Sequence, residues 1–318
     1  MQAVGVDLGF GAVKAVWHGG KAVFPSVWSE APDGDASSWG LAGAPAPLDV
    51  DGRRVIVGPA ADRRPGAHRP FGDGRLADPE ALPLLAAALW ASGVQGDVSL
   101  GSGTPLGRFG VERDAARHAL EGRSLRLSCN GHQTTVRIAR LVLRPQGVGA
   151  ALWLLTRDLL PAAGLAVIVD IGTRTTEIVT LDLADASPVL PLCWSTAVGV
   201  TQAAESLAAE AEAATNWPPP ADLCLARLRG QSPTWYRRAL PEPGPHLDRL
   251  ASTIRADILR RVGDAAGRVA ALALVGGGCV LLADRLHDAL PGAAVALTAD
   301  EAVAANAEGY RTAALAQA

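Results

Sequence analysis

The chain is poor in cysteine and carries no excess of basic charge. Its four cysteines, Cys129, Cys193, Cys224 and Cys279, lack the paired spacing of a zinc knuckle or a disulfide framework. The formal net charge is −3, so there is no basic surplus to neutralise nucleic-acid phosphates. Arginines between residues 53 and 69 leave a local basic patch as an alternative to an ordinary ion-paired surface. We therefore expect no direct binding of nucleic acid.

Long uninterrupted apolar runs are also missing. The longest apolar stretch, residues 148–169, contains Arg157, Asp158 and Pro161, which a bilayer-spanning helix accommodates only at high cost. The N-terminus begins with a strand pattern, without the basic region and apolar run of an export signal. We therefore expect no membrane segment and a cytoplasmic location. With 318 residues, 49% of them hydrophobic, the chain can bury a sizeable core in about two domains.

Lysine is the scarcest of the charged residues. Of the 29 basic residues, 27 are arginines, and only Lys14 and Lys21 are lysines. Lys14 follows a glycine turn, where a compact point charge suits a phosphate group better than a planar guanidinium. The alternative is that two lysines occur there by chance, and the count alone does not decide between the two interpretations.

The stretch that contains Lys14 predicts a β-hairpin with a functional turn. Residues 3–17, AVGVDLGFGAVKAVW, alternate in the manner of two strands, and Gly9 and Gly11 lie in the turn between them. The first strand ends beside a carboxylate, Asp7. A tight backbone turn between an acid and a base suits a phosphate and its metal ion.

A second stretch repeats this plan in the other half of the chain. Residues 165–183, LAVIVDIGTRTTEIVTLDL, give an apolar strand, Asp170, a turn with Gly172 and a return strand. Two copies of an uncommon unit indicate a duplicated domain, which would place the two turns on either side of a cleft. A third glycine-rich turn, residues 276–278, lies between a buried strand and a helix and would let backbone approach a flat or anionic group.

The remaining pattern predicts a mixed α/β protein. Helices are predicted at residues 79–92, 112–120 and about 246–263, and a last helix is predicted with Asp300 as its N-cap. Strands are predicted on both sides of the second helix, and loop-rich insertions follow the first hairpin and precede residue 246.

Taken together and in this order, the motifs resemble the superfamily of actin, sugar-kinase and heat-shock-chaperone ATPases. VDLGFGAVKAV and VDIGTRTTEIV are similar to its two phosphate motifs, and VGGGCVLLADRL is similar to its adenosine motif. FPSV at 24–27, VGPAA at 57–61, GTPL at 103–106 and ANAEGY at 305–310 resemble the bacterial and archaeal actin-like proteins of the ParM/StbA plasmid-segregation type. The similarity runs nearly end to end.

The resemblance implies an α/β actin-like ATPase fold, with two ribonuclease-H-like domains flanking a nucleotide cleft and small inserted subdomains. Domain I would comprise residues 1–160 and 299–318, with an insertion at about residues 20–78. Domain II would comprise residues 161–298, with an insertion at about residues 205–247.

The resemblance also implies bound ATP or ADP with Mg²⁺. Asp7 and Asp170 would bind the metal through water, which suits an ion that uses few protein ligands. The implied catalytic residues are Gln146, Asp170 and Asp7. The implied cofactor-binding residues are Gly9, Phe10, Gly11, Lys14, Gly172, Thr173, Arg174, Thr175, Gly199, Gly276, Gly277 and Gly278.

Four residues at or near these positions bear on the detail of the site. Gln146, in RPQGVGA, falls where the family places the residue that aligns the attacking water; a glutamine is not a strong base, so hydrolysis would be slow. A solvent-facing glutamine at a helix start is the alternative. Gly199, in STAVGVTQ, resembles the interdomain connection after the second phosphate motif. Arg174 and Glu177 depart from the glycine-rich turn of many relatives and leave the detail of that turn open.

The resemblance favours an ATPase that polymerises head to tail into nucleotide-dependent filaments. Its role would be plasmid or other DNA segregation, with a DNA-binding adaptor protein, or another cytomotive function. Two alternatives stay open. One is a small-molecule kinase, which needs a carboxylate base near the γ-phosphate; the other is a non-polymerising ATPase that clamps a partner, such as a chaperone-like module or a type IV pilus scaffold.

Overall fold

The computed structural model describes residues 1–31, 46–64, 66–70 and 72–318. Part of the insertion predicted at about residues 20–78, namely 32–45, 65 and 71, lies outside the described residues. The strands are β1 (Gln2–Leu8), β2 (Ala12–Trp17), β3 (Gly20–Pro25), β4 (Trp28–Glu30), β5 (Leu48–Val50), β6 (Arg53–Val57), β7 (Gly96–Thr104), β8 (Ser124–Cys129), β9 (His132–Pro145), β10 (Leu165–Ile171), β11 (Thr176–Asp182), β12 (Ser187–Pro188), β13 (Trp194–Thr196), β14 (Thr234–Trp235), β15 (Arg238–Ala239), β16 (Val269–Val275) and β17 (Ala293–Ala294).

The α-helices alternate with these strands. They are α1 (Pro59–Asp62), α2 (Leu82–Ser92), α3 (Phe109–Leu120), α4 (Val148–Thr156), α5 (Val200–Thr215), α6 (Ala221–Leu228), α7 (Gly244–Val262), α8 (Cys279–Leu286) and α9 (Ala299–Leu315). Short 3-10 helices occupy Pro79–Ala81, Leu106–Arg108, Leu190–Leu192 and Gly263–Arg268. The four helices predicted from the sequence are thus confirmed, α3 beginning three residues before its predicted start.

The chain divides into two compact units. Unit 1 comprises Met1–Trp153 and Asn306–Ala318, and unit 2 comprises Leu154–Ala305. The boundaries fall within α4 and α9. Each unit has its own hydrophobic core.

In the described part of unit 1, nine strands form one sheet in the order β3-β2-β1-β7-β9-β8-β5-β6-β4. The strands β1, β7 and β9 run parallel to one another at its centre. From Ala3 to Leu8 every residue of β1 is buried, as expected of a parallel strand covered on both faces. The segment that follows the first hairpin adds β4, β5 and β6 to this sheet through β8.

Helix α9 packs against unit 1 through the residues of ANAEGY. The side-chain oxygen of Asn306 accepts hydrogen bonds from the backbone N–H groups of Gly147 and Ala150, at 3.0 and 3.1 Å. A Cβ added at Gly309 would lie 1.7 Å from the carbonyl oxygen of Gly149, so glycine is required where the two backbones meet. The motif therefore fixes the start of α4, two residues after Gln146.

The sheet of unit 2 follows the order β12-β11-β10-β16-β17, with β13 paired to β11. All seven residues of β10 are buried. Helix α7 covers this core with Leu247, Leu250, Ile254 and Ile258, which are buried at helical spacing. The region predicted as an insertion at about residues 205–247 contains most of α5, all of α6 and the β14–β15 hairpin.

The cap of α9 differs from the one that the sequence predicts. Asp300 lies inside the helix, and Thr298 precedes it. The Thr298 hydroxyl accepts from the Glu301 N–H, and the Glu301 carboxylate accepts from the Thr298 N–H at 2.9 Å. These reciprocal bonds form a capping box. Among the described residues, no helix combines the length and apolar character that crossing a bilayer requires.

Candidate functional site

The first hairpin places an acid opposite a base beside its glycine turn. Strands β1 and β2 are antiparallel, and their register pairs Asp7 directly with Lys14. The Lys14 Nζ donates to Asp7 Oδ2 over 2.9 Å, and both side chains are less than one-tenth exposed. The alternation that predicts the hairpin therefore also brings these two charges together, because directly opposed residues share one face of the sheet.

The second oxygen of Asp7 tests whether the site fits a metal. Oδ1 is buried and has no hydrogen-bond partner within the part of the chain that the structure describes. It is therefore a carboxylate oxygen able to accept from the water shell of a hard cation. Among the described residues there is no cluster of three or more His, Cys, Asp or Glu side chains that would hold a metal by itself. Magnesium fits such a site, since it retains several waters and uses one or two carboxylates together with phosphate oxygens.

The turn between β1 and β2 depends on Gly9. A Cβ added there would lie 2.7 Å from Lys14 Nζ and 2.8 Å from the Ala12 carbonyl oxygen. The turn carbonyls are held by one residue outside the turn, Ser26. Its Oγ donates to the carbonyl of Gly9 over 2.5 Å, and its backbone N–H donates to the carbonyl of Gly11 over 3.3 Å.

Phe10 and Gln146 both line a pocket in unit 1, together with Leu8, Gly74, Leu76 and Thr104. The guanidinium of Arg75 lies over the Phe10 ring, 4.8 Å from its centroid, in a cation–π contact. The Gln146 backbone N–H donates to the Thr104 carbonyl over 2.8 Å, and its side chain is half-buried. The structure thus brings Gln146 beside the first turn and neither buries it fully nor leaves it fully in solvent.

The second turn joins β10 to β11 in unit 2. Asp170 is 7% exposed at the end of β10, and the Gly172 N–H closes the turn by donating to the Thr175 carbonyl over 2.8 Å. Thr173 and Thr175 are half-buried, whereas Arg174 is exposed. The start of α5 holds this turn, because Val200 and Thr201 donate their N–H groups to the carbonyls of Gly172 and Thr173 at 3.2 and 2.9 Å.

The glycines after β16 differ in what surrounds them. A Cβ at Gly276, where φ is +85°, would lie 2.3 Å from Asp170 Oδ1. At Gly278 it would lie 2.5 Å from the Ile171 side chain, whereas at Gly277, which is exposed, it would meet nothing within 4 Å. The backbone at 276 and 278 therefore packs directly against the end of β10, and Gly277 offers an open surface for a ligand.

Cys279 lies beside the same carboxylate. Burial, and secondarily the negative charge of Asp170, raise the pKa of the Cys279 thiol to about 12. The thiol is therefore protonated at neutral pH and serves as an apolar side chain at the start of α8.

One prediction about this region was wrong. Gly199 lies within unit 2 and not in a connection between the units, whose boundaries are at residues 153/154 and 305/306. A Cβ there would lie 2.6 Å from the Thr173 carbonyl oxygen. Glycine therefore allows the start of α5 to approach the second turn.

Sequence reasoning missed three residues that contact the turns: Ser26, Arg75 and Thr201. Ser26 and Thr201 lie inside quoted motifs, FPSV and STAVGVTQ, but their acceptors are 17 and 28 residues away. Arg75 carried no signal in the sequence that sets it apart from the other arginines.

Family models match both halves of the chain. Residues 5–149 match the N-terminal domain of actin-like proteins, and residues 168–288 match the C-terminal domain of the archaeal MreB-like actin homologue. The chain is 39% identical to an archaeal actin homologue of Thermoplasma acidophilum over 328 residues, and 38% identical to one of Thermoplasma volcanium. Each alignment covers 99% of this chain and 99% of the relative.

Solved structures of actin-like proteins also align with the chain over nearly its full length. A crystal structure of an archaeal actin homologue in complex with ADP aligns with a TM-score of 0.86 and 36% identity, covering 99% of this chain and all of the other. A 15-stranded ParM filament structure from Clostridium botulinum aligns with a TM-score of 0.85 and 19% identity, covering 99% of both chains. At that identity, the likeness to ParM shows the fold alone.

Proposed function

Because the chain belongs to the archaeal actin homologues of the actin-like ATPase superfamily, we propose that it binds ATP with Mg²⁺ and polymerises head to tail into nucleotide-dependent filaments. The observation that carries the proposal is the repeated plan of the two units. In each, the last residue but one of a buried strand is a buried aspartate, Asp7 or Asp170, and the strand leads into a glycine turn. A homologous archaeal actin in complex with ADP supports a nucleotide as the ligand.

We assign unit 1 to actin-like domain I and unit 2 to domain II. In domain I, the turn at Gly9–Gly11 would supply backbone N–H groups and Lys14 a point charge to the phosphates. Lys14 is already held in place by Asp7 at 2.9 Å, so it loses little side-chain freedom on binding an anion. Asp7 Oδ1 would accept a hydrogen bond from a water of the bound Mg²⁺, which itself would neutralise charge on the phosphates.

In domain II, the turn from Gly172 to Thr175 would bind the phosphates with its N–H and hydroxyl groups. Asp170 would act on the metal through water, as Asp7 does. The glycines at 276–278 would line the adenosine, and the exposed Gly277 is the one whose surface is open to a ligand.

Hydrolysis would depend on Gln146, whose amide would orient the attacking water. The Gln146 side chain is half-buried, and the backbone N–H of the same residue donates to the Thr104 carbonyl. The side-chain oxygen of Asn306 accepts from the N–H of the next residue, Gly147. A positioned amide orients water without taking its proton, so we expect slow turnover.

Self-association finds support in an exposed aromatic cluster of unit 2, which comprises Trp217, Trp235 and Tyr236. Trp217 and Tyr236 are 60% and 59% exposed, and the rings of Trp235 and Tyr236 meet edge to face with centroids 4.9 Å apart. Exposed aromatic side chains of this kind are enriched at protein interfaces. Contacts between unlike surfaces of successive copies generate an open filament when the rotation does not close a ring.

For the cellular role, we propose DNA or plasmid segregation or another cytomotive function. The net charge of −3 favours a separate DNA-binding adaptor over direct contact with DNA.

The proposal is tested by pelleting and negative-stain electron microscopy with ATP–Mg²⁺, with ADP and without nucleotide. We expect filaments that require ATP and that Asp170→Ala abolishes or alters. Asp182→Ala is the matched control, because Asp182 ends the neighbouring strand β11, where its carboxylate pairs with Arg268 and accepts from the Ala184 N–H, away from the glycine turn. Monomers under all conditions at concentrations well above micromolar, with ATP bound, would favour a partner clamp; ATP turnover accelerated many-fold by a metabolite would favour a kinase.

A further inference from the structure

In both glycine turns, backbone carbonyl groups accept hydrogen bonds from a serine or threonine that lies elsewhere in the sequence. In unit 1, Ser26 uses two groups: its Oγ donates to the Gly9 carbonyl over 2.5 Å, and its N–H donates to the Gly11 carbonyl over 3.3 Å. Ser26 is 3% exposed. It is the residue directly after β3, so the return of the sheet brings it under the turn.

Unit 2 repeats the arrangement with a threonine. Thr201 donates both its N–H, at 2.9 Å, and its Oγ1, at 3.0 Å, to the carbonyl of Thr173. The preceding N–H, of Val200, donates to the carbonyl of Gly172 over 3.2 Å. These N–H groups belong to the first turn of α5 and are already hydrogen-bonded to the protein's own backbone.

The geometry of the peptide group shows which way the N–H groups of the two turns point. In a planar trans peptide, the C=O of one residue and the N–H of the next point in opposite directions. Because Ser26 holds the carbonyls of Gly9 and Gly11, the N–H groups of Phe10 and Ala12 point away from it. By the same rule, the bonds from α5 direct the N–H groups of Thr173 and Arg174 away from the helix.

We propose that Ser26 and Thr201 are positioning residues, which fix the amide N–H groups of the two turns in the orientation that binds the phosphates. The inference rests on the proposed nucleotide function and names the residues on which affinity depends. Each side chain acts through the backbone of its turn, because its hydroxyl donates to a turn carbonyl. Their effect is preorganisation: the turn does not have to reorient its peptide groups when the phosphate arrives.

The substitutions that test this are Ser26→Ala and Thr201→Val, each of which removes one hydroxyl and keeps the backbone N–H. We expect each to weaken binding of a fluorescent ATP analogue with Mg²⁺ by about three- to thirty-fold. Thr201→Ser keeps the hydroxyl and should restore the affinity of the unmodified protein.

Matched controls separate positioning from general loss of a buried hydrogen bond. Ser99→Ala removes a buried serine hydroxyl of unit 1 that donates to the Ala314 carbonyl over 3.1 Å. Thr180→Val removes a buried threonine hydroxyl of unit 2 that donates to the Leu192 carbonyl over 2.8 Å. Ser29→Ala lies three residues after Ser26 and removes a buried hydroxyl for which the described residues provide no hydrogen-bond partner. All three should bind the analogue as the unmodified protein does, while thermal unfolding without nucleotide reports any loss of stability.

The outcomes distinguish the positioning role from the nucleotide-binding function. Weakened binding by Ser26→Ala and Thr201→Val, restored by Thr201→Ser and absent in the controls, supports the positioning role. Binding by these two variants that equals that of the unmodified protein, or that falls equally in the controls, overturns it and leaves the nucleotide function intact. An unmodified protein that binds no nucleotide overturns both.

Discussion

Lys14 and Asp7 form a buried ion pair across the β1–β2 hairpin, with Nζ 2.9 Å from Oδ2. The ammonium group also lies 2.7 Å from the point where a Cβ on Gly9 would stand. Lys14 thus compensates the charge of Asp7 and lies against the glycine turn. In a chain whose basic residues are almost all arginine, the compact ammonium group of a lysine occupies this buried position.

Substitution of Lys14 by alanine should destabilise the protein strongly. It leaves the Asp7 carboxylate buried without its partner, at a cost of about 3–5 kcal/mol in the free energy of unfolding. Urea denaturation without nucleotide measures the effect. Lys21→Ala is the control, since the exposed Lys21 should change stability by no more than about 0.5 kcal/mol. Equal midpoints for the two variants would contradict the prediction.

The glycines at 276 and 277 should respond differently to the same change. Gly276→Ala forces a Cβ against Asp170 at a positive φ and should destabilise the protein by about 2–4 kcal/mol. Gly277→Ala meets open space and should leave the melting temperature unchanged while it weakens nucleotide binding. Thermal unfolding and binding of a fluorescent nucleotide, measured on both variants, test the pair; a Gly277→Ala protein with unaltered affinity would remove Gly277 from the adenosine site.

The buried thiol of Cys279 predicts a decline of stability at alkaline pH. Its pKa is raised from about 9 to about 12 in the folded protein, so above pH 9 the folded state binds more protons than the unfolded state. Stability from this group is complete below pH 9 and is lost progressively toward pH 12, by at most about 1.4 kcal/mol per pH unit.

Urea denaturation between pH 8 and pH 11 measures this loss. Cys279→Ala should show a shallower decline than the unmodified protein, because the other titrating groups are common to both. Asp170→Asn should also reduce the decline, since it removes the charge that contributes secondarily to the raised pKa. Parallel curves for Cys279→Ala and the unmodified protein would refute the assignment.

Gln146→Ala should separate binding from hydrolysis. The side chain is assigned to the attacking water and not to the nucleotide, so we expect an affinity for ATP within about twofold of normal and a turnover number at least about tenfold lower. Phosphate release under single-turnover conditions is the measurement, and Gln133→Ala, on an exposed position of β9, is the control. A proportional loss of affinity would instead place Gln146 among the binding residues.

The fold followed from local patterns to a large degree. The α/β actin-like fold predicted from the sequence is confirmed, because the hairpins around Asp7 and Asp170 and the helix on Leu250 and Ile254 carry strong periodicities. The cap of α9 was misplaced by two residues, since TADE offers both a threonine and an aspartate near the helix start. The roles of the site residues stay predictions.

The residues that hold the turns were not predictable from such patterns. Ser26 and Thr201 are identified by the carbonyl groups that they bind, and those acceptors are set by the return of the chain in three dimensions. Gly199 resembled an interdomain connection in sequence and is, in the structure, a point of close backbone contact with Thr173. Tertiary contacts, and not the residue type, decide these cases.

Helix α5 gives the second turn a mechanical connection to the surface of unit 2. One end is bonded to the Thr173 carbonyl, and near the other end the Ala214 carbonyl accepts from Arg238, in the hairpin that bears Tyr236. The 16 residues between these ends span about 24 Å as a stiff rod. A displacement of the turn that preserves its bonds to α5 therefore displaces the aromatic cluster as well.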